Sequence, residues 1–264
     1  MCMLSKDDEQ KLIELNEKIA PCVVPITQEM MMIHLPHGTG SLVQHEKGTF
    51  LVSNYHVYYD VEHNEQFQNL AVENHEQFTS LPCSIVAKKH PYDTGIDCAD
   101  SLNSSQLLAF SKFQNAYAPV DGEIFYIIGY PSRSQLLDTK KGDYSYKSEQ
   151  IYGFEIKGHT CTCMSNYFGL KCPNLKGVCL NDVQSLSGSL VWNTKIIECR
   201  NKGIPWSIDM AVVAGIVCKW GAENDDDTQN LDTLICTKID DMYIPDMIDY
   251  WNKNQIGPNS ITTI

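Results

Sequence analysis

From residue 22 onward the sequence is cut into short runs rich in Val, Ile, Phe and Tyr, each bounded by Gly, Pro, Asn, Asp or Ser. The runs at 22–26, 40–43, 49–52, 84–87, 123–128, 152–156 and 211–217 have the length and composition of β-strands. No helical periodicity is interleaved with them. The pattern therefore predicts antiparallel barrels or sandwiches rather than an alternating α/β sheet. A turn between two paired strands is expected at 44–48, an exposed polar loop at 138–150 and a further strand within 228–239. With 264 residues the chain has room for one large all-β domain or two small ones, and no repeat or low-complexity linker divides it.

Both ends depart from this pattern. Ser5 is placed to cap a helix over residues 5–19, with Asp8 three residues on as the second half of a capping box. Leu12, Ile13, Leu15 and Ile19 give that helix an apolar stripe, and Pro21 ends it. A second short helix is expected over 242–253, with Met247, Ile248 and Trp251 on its apolar face.

Composition narrows the class of function. The net charge is −13, which repels phosphate backbones, so nucleic acid is excluded as a partner. Part of that charge sits in Glu223-Asn224-Asp225-Asp226-Asp227, read as a solvated hairpin tip because it lacks the spaced oxygen ligands and glycine of an EF-hand loop. No apolar run approaches the ~18 residues of a membrane span. The N-terminus turns acidic at once and does not read as a signal peptide. On that basis the 11 cysteines are expected to be mostly reduced thiols in a cytoplasmic protein. Cys22, Cys98, Cys218 and Cys236 lie in apolar runs, where the thiol behaves as a small hydrophobe.

Three segments carry chemistry. They are Ser53-Asn54-Tyr55-His56-Val57, Gly95-Ile96-Asp97-Cys98-Ala99 and Ser185-Leu186-Ser187-Gly188-Ser189. Their order is His, Asp, Ser, separated by about 40 and about 90 residues, close to the two-barrel template for a nucleophilic triad. His56 would be the general base, since an imidazole exchanges its proton near neutrality. Asp97 would orient the ring and stabilise the imidazolium; Asp93 and Asp100 are its rivals. Ser187 would be the nucleophile, in a run of small residues that permits a tight turn; Ser185 and Ser189 are its rivals.

These segments, together with Gly38-Thr39-Gly40-Ser41-Leu42-Val43, Gly129-Tyr130-Pro131 and Gly215-Ile216-Val217-Cys218-Lys219-Trp220-Gly221, resemble those of trypsin/chymotrypsin-fold serine peptidases, in the style of bacterial trypsin-like domains. The likeness runs from about Cys22 to Trp251. It implies an all-β fold of two antiparallel six-stranded barrels with an N-terminal and a short C-terminal helix. The divisions would be 1–21 for the helical extension, 22–115 for the first barrel and 116–264 for the second. It further implies a serine endopeptidase acting on a protein or peptide substrate through an acyl-enzyme, without a cofactor. The backbone N–H groups of Ser185 and Ser187 would form the oxyanion hole. Asn181, Asp182, Cys218 and Trp220 would line the substrate pocket, where Asp182 would either favour a basic side chain or, as the preferred reading, stand as a plain loop acid.

The sequence also departs from the family. Ser185 stands where a glycine is usual, Leu186 where digestive members carry an aspartate, and Leu190 follows Ser189 with no proline between. Activation by a new N-terminus is thus not expected. The departures point to a latent intracellular enzyme needing an activating protein partner or, as the alternative, to an inactive protease-like module that binds a peptide or protein. Cys161, Cys163, Cys172 and Cys179, with His159 nearby, are weak candidates for a zinc site; their spacing does not match paired C-x₂-C knuckles. Free thiols or a disulfide are the other readings of that cluster, and no metal is assigned.

Overall fold

A computed structural model describes residues 4–264 apart from 32, 75–76, 90–91, 101, 103–106, 114–115, 133–134, 139–142, 157–165, 176–183, 221–232 and 255. The N-terminal half contributes helix α1 (Lys6–Ile19) and strands β1 (Val23–Met30), β2 (Ile33–His45) and β3 (Gly48–Ser53), then the single-turn helix α2 (Tyr55–Tyr58). Strands β4 (Tyr59–Asp60), β5 (Glu65–Gln66), β6 (Leu70–Asn74), β7 (Gln77–Ser80), β8 (Ser84–Lys88), β9 (Thr94–Cys98) and β10 (Leu108–Ala109) follow. The rest comprises β11 (Ile124–Gly129), β12 (Gln135–Asp138), β13 (Asp143–Tyr146), β14 (Glu149–Glu155), β15 (Tyr167–Lys171), β16 (Leu190–Asn193), helix α3 (Ile196–Lys202), β17 (Val212–Trp220), β18 (Thr233–Lys238), helix α4 (Ile244–Asn254) and β19 (Ser260–Thr263).

One barrel closes, in the order β11-β14-β15-β18-β17-β16. The N-terminal strands form a nine-stranded sheet, β19-β8-β9-β3-β2-β1-β6-β7, with β10 alongside β2. This corrects the expectation of two closed six-stranded barrels. Among the described strands a second closure is absent. Strand β19 lies parallel to β8, pairing Ser260 with Ser84 and Thr263 with Ala87, and so covers the edge of the sheet at β8. Another difference concerns 138–150, expected as a loop: β12 and β13 pair there as a hairpin, Gln135 opposite Tyr146.

The barrel strand β11 reads as one continuous apolar run because both of its faces are covered. Phe125 and Ile127 point into the barrel with Ile151, Phe168, Leu170 and Leu234. Ile124, Tyr126 and Ile128 point outward, into a cluster with Leu12, Leu15 and Ile19 of α1. Helix α1 thus forms part of the core. Its N-terminus carries the expected capping box: the Asp8 N–H donates to Ser5 Oγ at 3.2 Å, and the Ser5 N–H donates to the Asp8 carboxylate at 3.2 Å. Asp8 also pairs with Arg200 of α3. Leu12, Leu15 and Ile19 are buried, whereas Ile13, expected on the same stripe, is 48% exposed. It lies one residue, about 100° of helix turn, off that face.

Helix α4 buries Ile244, Met247 and Ile248. It packs on the N-terminal sheet, where Trp251 meets Phe50 edge-on with ring centroids 5.6 Å apart and Asp249 pairs with Lys47. The C-terminal segment therefore returns to the sheet in which the chain began.

The helical phase of α1 yields a direct test. Leu15→Ala should lose about 2–5 kcal/mol of stability in chemical denaturation, as a fully buried leucine does. Ile13→Ala should change it by less than about 0.5 kcal/mol. Equal losses would mean that α1 does not pack in this phase.

Candidate active site

Strand β3 ends at Ser53 and hands the chain to α2, which begins at Tyr55. Asn54, fully buried between them, does not cap α2 with its side chain. Its amide instead donates to the Asp93 carbonyl at 2.7 Å and reaches Cys218 Sγ at 3.6 Å. The Asp93 carboxylate fills the capping role. It accepts the His56 N–H on Oδ1 at 3.0 Å, and its Oδ2 lies 2.6 Å from His56 Nδ1. One carboxylate therefore fixes both the backbone and the ring of the histidine. Burial works to lower the His56 pKa, but the charge of Asp93 and its hydrogen bond outweigh it and hold the pKa above the usual histidine value.

The expectation for Asp97 is corrected by the register of β3 on β9. Leu51 lies opposite Asp97, Val52 opposite Ile96 and Ser53 opposite Gly95. His56, beyond the end of β3, therefore faces the residues that precede β9. That is where Asp93 sits, in a left-handed conformation (φ 48°) that aspartate tolerates better than most residues. Asp97 is fully buried within β9 and accepts the N–H groups of Ser84 at 2.8 Å and Cys83 at 3.1 Å. Burial pushes its pKa up to about 7, against the pull of those N–H donors. The other rival, Asp100, accepts the Thr49 N–H at 2.7 Å. The register sets Asp97 opposite Leu51, five residues before His56, and its carboxylate is taken up by the start of β8; no local sequence signal marks Asp93 instead.

Ser187 is half-buried in a turn that follows a single 3₁₀ turn, Gln184–Leu186, and leads into β16. Gly188 has φ 89°, and a Cβ there would lie 2.1 Å from the Thr39 carbonyl oxygen and 2.2 Å from Ser53 Oγ. Only glycine fits. The Ser187 carbonyl accepts the Thr39 N–H at 2.8 Å. Around Gly38 a Cβ would meet Val57 at 2.7 Å and the Ser187 carbonyl at 3.4 Å. The segment of His56 and the turn of Ser187 thus converge on residues 38–39 of β2.

Ser185 is buried, and its hydroxyl lies 3.0 Å from that of Ser132. Its φ is not in the left-handed region, so the 3₁₀ turn accepts a serine where the family pattern has glycine. Leu186 is buried in the barrel core. Ser189, the other rival nucleophile, is fully buried, with its hydroxyl against Gly129.

Cys218 sits at a bulge of β17 between Val217 and Lys219, with its thiol 2.9 Å from Thr237 Oγ1. Burial, reinforced by the charge of Asp93, pushes that thiol's pKa up to about 12. The thiol faces the join between the sheet and the barrel, where Thr237 Oγ1 also donates to the Tyr92 carbonyl at 3.1 Å. Trp220 is described in its backbone alone, which pairs with Leu234. Asn181, Asp182, Cys161, Cys163, Cys179 and His159 lie outside the described residues. Cys172 is buried, and Cys22, Cys83, Cys98, Cys199, Cys218 and Cys236 are free thiols. Among the described residues no cluster of three or more His, Cys, Asp or Glu is arranged to hold a metal.

No protein-family model matches the chain, and no curated protein matches it in sequence. Solved structures do match. One is the serine endoprotease from Yersinia pestis, with TM-score 0.55 and 13% identity over 97% of this chain and 70% of that one. Another is the thermostable serine protease AL20 from an extremophilic microorganism, with TM-score 0.55 and 8% identity over 89% of this chain and 98% of that one. This chain has the trypsin-like serine protease fold. Within the trypsin-like fold its N-terminal half is an open sheet, closed over at one edge by β19.

The assignment of the carboxylate can be checked by NMR titration of His56. Asp93→Asn should move the midpoint from above the usual value of about 6.5 to below it, because burial would then act unopposed. Asp97→Asn should leave the midpoint where it is. The reverse pattern would restore Asp97 as the partner.

Proposed function

We propose that the chain is a serine endopeptidase in which Ser187 is the nucleophile, His56 the general base and Asp93 the group that orients it. The observation that carries this reading is the double hold of Asp93 on His56, at 3.0 Å to the backbone N–H and 2.6 Å to Nδ1. That hold leaves Nε2 as the free ring nitrogen, as proton transfer from a serine hydroxyl requires. Ser187 Oγ would attack the scissile carbonyl as His56 Nε2 takes its proton. The imidazolium, held by Asp93, would give that proton to the departing amine. Water would then repeat the sequence on the acyl-enzyme: His56 deprotonates it, the ester bond to Ser187 breaks, and the proton returns to the serine. The N–H groups of Ser185 and Ser187 are the proposed donors to the oxyanion, an interaction whose loss costs about 10²–10³ in rate where it has been measured in other proteases.

A reducing intracellular setting belongs to this reading and rests on the buried free thiols. So does latency. The 3₁₀ turn at Gln184–Leu186 supports a loop that rearranges when a protein partner or substrate docks. The same turn favours the second reading, a peptide-binding module without turnover, because it departs from the glycine-bearing pattern of active family members.

Labelling with a fluorophosphonate, followed by peptide mapping, separates the two. A single adduct on Ser187, absent in Ser187→Ala, is the expected result, with a rate that rises with pH. The base must be neutral, and its raised pKa places the rise above about pH 6.5. Asp93→Asn should lower the rate on the order of 10³–10⁴-fold and shift the rise to lower pH. No adduct on Ser187, with or without candidate partner proteins or peptides, would leave the binding module as the reading.

A further inference from the structure

Thr39 is the x of the Gly-x-Gly pattern in β2, and the proposed chemistry gives it no part. It is fully buried, and all of its polar atoms are engaged. Its N–H donates to the Ser187 carbonyl at 2.8 Å. Its hydroxyl donates to the Ser185 carbonyl at 2.8 Å and accepts the Tyr130 N–H at 3.0 Å. Its own carbonyl accepts Ser53 Oγ at 2.8 Å. One residue of the N-terminal sheet thus grips two alternate carbonyls of a turn that belongs to the barrel.

The geometry has a specific consequence. Each peptide unit is planar, so the chain turns only about φ and ψ. Holding the carbonyl of a residue fixes the orientation of the peptide plane that it shares with the next residue's N–H. Thr39 does this at Ser185 and again at Ser187. The plane that carries the Ser187 N–H lies between these two held planes, and the plane that carries the Ser185 N–H directly precedes the first of them. At Ser185, where a side chain replaces the usual glycine, the hydroxyl of Thr39 supplies from outside the turn a restraint that the backbone does not provide itself.

We propose that Thr39 is a positioning residue for the oxyanion turn, acting through its hydroxyl on the Ser185 carbonyl. The proposal rests on the endopeptidase reading for its catalytic consequence. Its structural content, that the hydroxyl orders residues 185–187, stands without it. Thr39 touches neither substrate nor nucleophile side chain. Its removal is therefore expected to affect turnover at fixed binding.

The test compares Thr39→Ser, Thr39→Ala and Thr39→Val with the wild-type chain. The Ser and Ala variants both lose the methyl and differ by the hydroxyl alone, so the comparison holds even if the Val variant does not fold. Two readouts are taken on protein shown to be folded by its melting transition. The first is backbone amide exchange. Residues 185–187 should exchange at least about tenfold faster in the Ala and Val variants than in the Ser variant, with β3 and β11 unchanged. The second is fluorophosphonate labelling of Ser187. Its maximal inactivation rate should fall about 10²-fold in Ala and Val, as for a lost oxyanion donor, and stay within about threefold of wild type in Ser, with probe affinity unchanged in all three. Equal exchange in the Ser and Ala variants would overturn the proposal. So would equal labelling rates, or a loss confined to probe affinity. If the wild-type chain takes no label at all, the endopeptidase reading falls, and the exchange comparison still decides whether Thr39 orders the turn.

Discussion

The backbone of Gly188 approaches β2 so closely that a single added carbon would stand 2.1 Å from the Thr39 carbonyl oxygen. The fold of the site depends on that approach. The two halves of the chain meet there backbone to backbone. Here the absence of a Cβ permits it at a φ of 89°. Gly38 and Gly129 extend the same seam, one against Val57 and the Ser187 carbonyl, the other against Ser189 and Leu186. Hydrogen bonds then fix what the sterics allow: Thr39 to Ser187, Gly188 to Val217 and Thr237 to Tyr92 each cross from one segment to another. Ser53, three residues before His56, packs against Gly188, one residue after Ser187, so the positions of His56 and Ser187 are set together.

What the sequence made legible follows from the range of the interactions involved. The capping box of α1 and the strand runs of the barrel are written in neighbouring residues, and they read correctly as structure. The partner of His56 does not. Asp97 has an apolar residue before it and Cys-Ala after it, the local dress of the family motif, yet its carboxylate holds the start of β8 through Cys83 and Ser84. The choice between Asp93 and Asp97 is made by the register of β3 on β9 and by a left-handed turn at Asp93, neither of which a local pattern reports. The open N-terminal sheet escaped for a similar reason: the strand on the edge of β8 comes from residues 260–263, far along the chain.

Both ends of the chain brace the seam across the two halves. Helix α1 precedes the N-terminal sheet in sequence but packs on the barrel, through Leu12, Leu15 and Ile19 and through the pairing of Asp8 with Arg200. The C-terminal segment does the opposite, leaving the barrel to place α4 and β19 on the N-terminal sheet. Each end thus ties the half it borders to the other one. Such crossed ties resist separation of the halves without adding a contact in the cleft.

The ionisable groups of the site set stability and base strength against each other. Asp97 binds its proton more tightly in the folded chain than in the unfolded one, since its pKa rises to about 7. His56 does so as well, because Asp93 raises its pKa. Where the folded state holds the extra proton, stability falls as pH rises. Asp97 therefore withdraws stability between the usual carboxylate range and about pH 7, and His56 between about pH 6.5 and its raised value. In more acidic solution the sign reverses. Asp8 has a lowered pKa because its bonds to Ser5 and its pairing with Arg200 outweigh burial, and the stability it contributes is lost as pH falls through that value. His37, whose pKa burial lowers, acts in the opposite sense to Asp97 and His56, since its neutral form is the one the fold holds and it withdraws stability as pH falls.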